Sequence, residues 1–251
     1  MSLTSSISLV VPLFNEEDRF AETAGEIVGF TEQWGPGSEV IWVDDGSTDR
    51  TAEVAAAFIA RGHPVDTKLL QIDHRGKGAA VRAGLLTSRC SFGAFCDVDL
   101  STPLDDIARL IEICARDGGL AIGSRGLPTS NVTRHESFLR EQLGRSYNRV
   151  VRALLTPGIF DTQCGAKAAR SDVWSQLLSR CREDGFAADV ELIAIAMALD
   201  VSVSEIGVSW AHDNRSRVHV WRDGLAMVTA LIRIWRRVHV GGDKNRFLLY
   251  K

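Results

Sequence analysis

The chain of 251 residues lacks the features that mark several large protein classes. It has no excess of positive charge: 29 Lys and Arg stand against 32 Asp and Glu, a net charge of -3, so there is no global basic footprint for nucleic acid. It has no paired cysteine spacing. Cys90, Cys96, Cys114, Cys164 and Cys181 form no CxxC unit and are odd in number, which argues against a disulfide framework or a zinc cage and for reduced thiols in a cytosolic protein. It has no long hydrophobic run either: Leu192 to Leu199 and Leu225 to Ile232 fall well short of the roughly 20 residues that cross a bilayer. Ile7 to Phe14 has no basic residue before it and does not read as a secretory signal. There is no internal repeat, low-complexity tract or clear linker. With 45% hydrophobic and 24% charged residues, the composition is that of one folded domain with a sizeable core.

Short β-rich runs alternate with helical stretches through the first half, the pattern of βαβ units on a mostly parallel sheet. Ile7 to Val11, Glu39 to Val43, Val65 to Ile72, Phe92 to Cys96 and Leu120 to Ile122 read as strands. Arg19 to Trp34, Thr51 to Ala60, Gly76 to Leu86 and Leu104 to Arg116 read as helices, with Ser47 or Asp49 available to cap the second. In the second half, His135 to Leu155, Val190 to Leu199 and Arg222 to His239 read as helices and Val201 to Trp210 as one strand. The expected fold is a single α/β domain, its mostly parallel central sheet flanked by helices.

In such a sheet, ligands bind beyond the carboxyl ends of the strands. Three of those ends carry polar clusters: Pro12 to Glu16, Asp44 to Asp49, and Asp97 to Thr102. Any one of them is compatible with a solvated turn, and Asp97 and Asp99 are compatible with capping the helix that follows. Together they point to a site. Asp97 and Asp99 flank one residue at a strand end, where both carboxylates supply hard oxygen ligands for Mg²⁺ or Mn²⁺ while phosphate and water complete the shell.

Ile7 to Glu16, Val40 to Thr51, Gly76-Lys77-Gly78 and Asp97-Val98-Asp99, in that order and spacing, resemble the family 2 glycosyltransferases of the GT-A fold. Gly123-Ser124-Arg125, Asp161 to Gly165 and Asp189 to Leu192 resemble the dolichyl- and polyprenyl-phosphate glucosyl- and mannosyltransferases within it, although Ala166 stands where an aromatic residue is usual. The resemblance implies a metal-dependent inverting transfer of glucose or mannose from a UDP- or GDP-linked donor to a polyprenyl phosphate. It divides the chain into a nucleotide-sugar half (about 1–125), an acceptor half (about 126–221) and a C-terminal helix and tail (222–251).

By the same resemblance, Pro12, Asn15, Glu16, Asp44 and Asp45 line the nucleoside pocket. Lys77 and the segment Arg215, Ser216 and Arg217 approach the diphosphate, and Val98 belongs to the same nucleotide-sugar site. Asp97 and Asp99 hold the cation, with His212 a candidate third ligand. Arg125, Arg140 and Gln163 meet the acceptor phosphate. An anionic phosphate needs orientation rather than a strong base. A sugar hydroxyl acceptor would instead need a carboxylate, for which Asp189 or Glu191 is the candidate. Glu191 is equally suited to the dipole of the helix it begins.

In the segment 222–239, Leu225, Val228, Leu231, Ile232, Trp235 and Val238 recur at helical spacing opposite Arg222, Arg233, Arg236 and Arg237. That apolar face is suited to the core, to a second copy of the chain, or to peripheral contact with a lipid surface on the cytoplasmic side, the reading favoured here. From Asp213 onward nine basic residues stand against three acidic, a balance of +6 that leaves -9 on the rest. Two other functions remain open: transfer to a soluble or saccharide acceptor, and a dinucleotide-dependent oxidoreductase read from Gly76 and Gly78. For the latter, Val81 occupies the third glycine position.

Overall fold

The structure, a computed structural model, describes residues 5–134, 138–211 and 220–240. Seven strands form the central sheet: β1 (Ile7–Leu13), β2 (Glu39–Asp44), β3 (Asp66–Gln71), β4 (Phe92–Phe95), β5 (Leu120–Ser124), β7 (Lys167–Arg170) and β8 (Val203–Gly207). Their order is β3-β2-β1-β4-β7-β5-β8, and β7 alone runs antiparallel to its neighbours. A second, two-stranded parallel sheet pairs β6 (Asn131–Arg134) with β9 (Ser209–Ala211).

Parallel strands covered on both faces read as nearly continuous apolar runs, and β1 and β2 show why. Ile7, Leu9, Val11, Val40 and Trp42 face one side, with Phe20, Ala24 and Ile27 of α1 (Glu17–Glu32), Ala55 of α2 (Thr51–Ile59) and Ile107, Leu110 and Ile111 of α4 (Leu104–Asp117). Val10, Ile41 and Val43 face the other. There they meet Ala80, Val81 and Leu85 of α3 (Lys77–Thr87), Trp174 and Leu177 of α6 (Ser171–Leu178), and Leu192 and Ile193 of α7 (Ala188–Ala198). The result is a three-layer α/β/α domain.

The C-terminal helix α8 (Val220–Trp235), followed by one π-helical turn to Val240, joins through a third cluster. Ala230, Leu231 and Ile234 pack on Val190 and Ala194 of α7 and on Val151 of α5 (Phe138–Leu154). One expected strand is divided: Val201 to Trp210 breaks at the buried Val208, because β8 pairs with β5 whereas β9 pairs with β6.

Candidate active site

The carboxyl ends of β1, β2 and β4 are laced into one surface. Asn15, at φ 56°, turns back so that its Oδ1 accepts the N–H groups of Thr48 at 2.7 Å and Asp49 at 3.2 Å. Its own N–H donates to Ser47 Oγ at 2.9 Å, and the Glu16 N–H donates to Thr51 Oγ1 at 2.7 Å. Asp49, not Ser47, meets the start of α2, accepting the Thr51 N–H at 2.9 Å. Glu16 pairs with Arg19 at 2.7 Å. Pro12 and Asp44 are the paired strand residues beneath these loops, Pro12 opposite Val43 and Asp44 opposite Leu13. Buried Asp45 accepts the N–H groups of Arg75 at 2.9 Å and Gly76 at 2.8 Å, so its carboxylate shapes the β3–α3 loop. It also lies 2.8 Å from His74 Nδ1, and that imidazole stacks on Phe14 at 4.1 Å.

Asp97 and Asp99 stand just beyond β4, on either side of buried Val98. Lys77 Nζ, from the first residue of α3, lies 2.5 Å from Asp97 Oδ1. Burial alone would lower the Lys77 ammonium, but the charges of Asp97, Asp189 and Asp99 outweigh it and hold the group above its ordinary range. Asp99 is raised, first by burial and then by the like charge of Asp97. Two carboxylates that repel in a partly dry site form an environment that a divalent cation relieves, and hard oxygen donors suit Mg²⁺ or Mn²⁺. Among the described residues, no three His, Cys, Asp or Glu converge on a metal position. His212, the candidate third ligand, lies outside the described residues.

On the far side of Asp97 runs the loop before β7. A Cβ placed on Gly165 would lie 1.8 Å from Asp97 Oδ2, so glycine lets the backbone pass with the Asp97 carboxylate where it stands. Lys167, fully buried, anchors the loop from below: its Nζ donates to the carbonyls of Cys164 at 2.8 Å and Thr162 at 3.3 Å and pairs with Asp189 Oδ1 at 2.6 Å. At the loop's other end, buried Asp161 accepts Arg125 Nε at 2.7 Å, Arg125 Nη2 at 3.0 Å and the Arg125 N–H at 3.0 Å. Burial works against this carboxylate, yet the Arg125 charge and hydrogen bonds bring it down to about 2. The Arg125 guanidinium also lies over Trp210, 5.2 Å from the ring centre. Between these anchors, the buried Gln163 amide nitrogen has no partner among the described residues.

Asp97, Asp99, Lys77, Gln163 and Asp189 thus belong to one neighbourhood, which Arg125 reaches through Asp161. Glu191 does not. It is buried against the 182–183 turn, accepting the N–H groups of Arg182 at 2.7 Å and Glu183 at 2.6 Å, and it pairs with Arg237. Arg140 lies in α5, but its side chain is outside the described residues, as are His212, Arg215, Ser216 and Arg217. Lys167 escaped the sequence reading because a lysine in a short strand carries no periodic signal. Tyr147 of α5 escaped it too: its hydroxyl is buried and has no partner among the described residues, and burial plus the Asp189 charge push its phenol up.

Comparison with known proteins gives the same neighbourhood a context. The profile described as "Glycosyl transferase family 2" matches residues 8–178. A dolichyl-phosphate beta-glucosyltransferase of Drosophila melanogaster is 34% identical over 248 residues, 94% of this chain and 76% of its relative. The enzyme of that name from Homo sapiens is 30% identical over 252 residues, 96% of this chain and 78% of its own. Among solved structures, a Mycobacterium tuberculosis glucosyl-3-phosphoglycerate synthase with UDP aligns at TM-score 0.67 and 21% identity, covering 93% of this chain and 80% of that one. The same synthase with Mn²⁺, UDP-glucose and phosphoglyceric acid aligns at TM-score 0.65 and 21% identity, covering 93% and 79%.

Proposed function

The chain belongs to glycosyl transferase family 2, and from that premise we propose that it transfers glucose, with inversion, from UDP-glucose to a polyprenyl phosphate of the dolichyl type. The observation that carries this reading is the meeting of Asp97, Asp99 and Lys77 at the end of β4, with the Gly165 backbone closed against Asp97. Relatives named for the dolichyl-phosphate reaction, and structural neighbours holding UDP-glucose and Mn²⁺, support the donor and acceptor classes.

In this reading Asp97 and Asp99 hold Mg²⁺ or Mn²⁺, which when bound neutralises charge on the departing diphosphate. Lys77 adds a second positive group on the same side. Asn15, Glu16, Asp44 and Val98 border the nucleoside, and Pro12 and Asp45 fix the loops around it. The acceptor phosphate oxygen attacks the anomeric carbon, the bond from that carbon to the UDP oxygen breaks, and an α-linked donor becomes a β-linked product. A phosphate already ionised gives up no proton, so no general base is required. Gln163, Arg125 and Arg140 orient the phosphate, and Asp161 fixes the Arg125 charge. Asp189, held by Lys167, then serves to position the loop rather than to take a proton.

The acceptor is a lipid, and α8 is the proposed membrane contact, the reading taken over a contact between copies of the chain. Its expected faces divide in the structure. Leu231 packs inward, and Arg233 and Arg237 are committed to Glu183 and Glu191, while Val228, Ile232 and Trp235 remain 50%, 56% and 37% exposed. No described helix is long and apolar enough to cross a membrane. Replacing both Asp97 and Asp99 by alanine should abolish transfer and Mn²⁺-dependent UDP binding. Retention of either would sink the reading.

A further inference from the structure

Asp184 lies outside every motif discussed so far, in the loop between α6 and α7, yet it grips the Gly76-Lys77-Gly78 turn in several ways. Its carboxylate accepts Arg75 Nη2 at 2.7 Å and Nε at 3.1 Å, and it also pairs with Arg82. Its backbone carbonyl accepts the Ala79 N–H at 3.0 Å. That same oxygen stands 2.7 Å from the place of a Cβ on Gly76, a residue at φ +119°, and 3.0 Å from one on Gly78. The two backbones are therefore in direct contact, an approach that glycine permits. From the opposite side Asp45 holds the N–H groups of Arg75 and Gly76. Lys77, at the middle of the turn, has its Nζ at Asp97.

The corner that carries Asp184 is itself fixed. Glu191 accepts the N–H groups of Arg182 and Glu183. The Glu183 carboxylate accepts Arg233 Nη2 at 2.6 Å and pairs with Arg237, so the end of α8 is bolted to the same turn. Arg82, 17% exposed, carries more of this grip than Arg75, whose guanidinium is 59% exposed and screened by water, and both charged forks add directionality to the backbone contact. A frame of this kind leaves the Lys77 turn little freedom to withdraw from Asp97.

We propose that Asp184 is a positioning residue for Lys77: by clamping the turn through Arg75, Arg82 and Ala79, it keeps the ammonium beside Asp97, where the donor diphosphate is to be met. Asp184 itself touches neither donor nor acceptor. The inference rests on the reading of Lys77 as a diphosphate-facing group, and the experiment separates the two.

Calorimetric titration of UDP with Mn²⁺ into the full chain would compare wild type, Lys77→Ala, Asp184→Asn and the double variant. Lys77→Ala and Asp184→Asn should each weaken binding about tenfold, and the double variant should be no weaker than Lys77→Ala, because coupled residues are not additive. Asp184→Glu, which keeps the charge, should recover part of the loss. If Lys77→Ala binds like wild type, the reading of Lys77 fails and takes the inference with it. If Lys77→Ala weakens binding but Asp184→Asn does not, or if the two losses add in the double variant, Lys77 keeps its role and the inference is overturned. Should Asp184→Asn not fold, Arg82→Gln, which removes the charge that pairs with Asp184, replaces it in the same cycle with the same two outcomes.

Discussion

Asp161→Asn is the substitution whose consequence is most directly calculable. The carboxylate is 1% exposed and receives four hydrogen bonds, three from Arg125 and one from the Gln163 N–H at 2.9 Å. Its displacement from an ordinary 3.8 to about 2 corresponds to about 2 kcal/mol favouring the ionised, folded form. The folded value is depressed, so this stability is present above the ordinary carboxylate range and is lost as pH falls toward about 2. The amide keeps the shape but loses the charge and turns donors toward donors, so at pH 7 the variant should be less stable by at least about 2 kcal/mol. For a domain of this size that lowers Tm by roughly 4–8 °C. Urea melts of both proteins from pH 7 downward should show a constant gap at first, with about half of the charge-dependent part gone by pH 3. Equal stability at pH 7, or a gap that does not narrow with acid, would show that the Asp161 charge does not stabilise the fold.

Gly165→Ala should leave the fold standing while displacing Asp97, lowering the transfer rate by about a hundredfold, since a misplacement near 1 Å costs that much; initial rates beside a thermal melt will tell, and an unchanged rate speaks against the tight passage. Lys167→Met leaves Asp189 and two carbonyls without their cation and should cost about 3–5 kcal/mol in a denaturant melt, a loss that Asp189→Asn in the same chain should partly restore. If the double variant is no better than Lys167→Met, the ion pair is not what that lysine supplies. Flotation with anionic liposomes at low salt should carry the chain through α8, and Ile232→Ser with Trp235→Ser should weaken it roughly tenfold; failure of the unaltered chain to float removes the membrane contact.

Much of the GT-A fold can be read in the chain because β1 and β2 are nearly continuous apolar runs and α4 keeps a clear 3.6-residue period. The strand-end clusters are legible for the same reason, since their distance from each apolar run places them at the carboxyl edge. β7 is not legible. Lys167-Ala168-Ala169-Arg170 is short, carries a buried charge and owes its place to pairing with β4 and β5, which are distant in sequence. Asp45 shows a different limit: its residue type is plain in the sequence, but its partners are backbone N–H groups of the β3–α3 loop, which no side-chain pattern announces. Glu191 is the converse, a carboxylate whose motif suggested chemistry and whose surroundings are those of a corner brace. The dinucleotide alternative gives way to the match with glycosyl transferase family 2, and Gly76 and Gly78 serve close passage past Asp184 and Ala188.

Glucosyl transfer to a lipid phosphate by Asp97, Asp99 and Lys77 leaves a definite product. Its most direct measurement is the product formed from radiolabelled UDP-glucose when a short polyprenyl phosphate and phosphoglyceric acid compete in the presence of Mn²⁺, with the anomeric configuration read by NMR. Label should appear in the lipid phase as a β-glucosyl phosphate. Label confined to the water-soluble acceptor, or an α-linked lipid product, would contradict it.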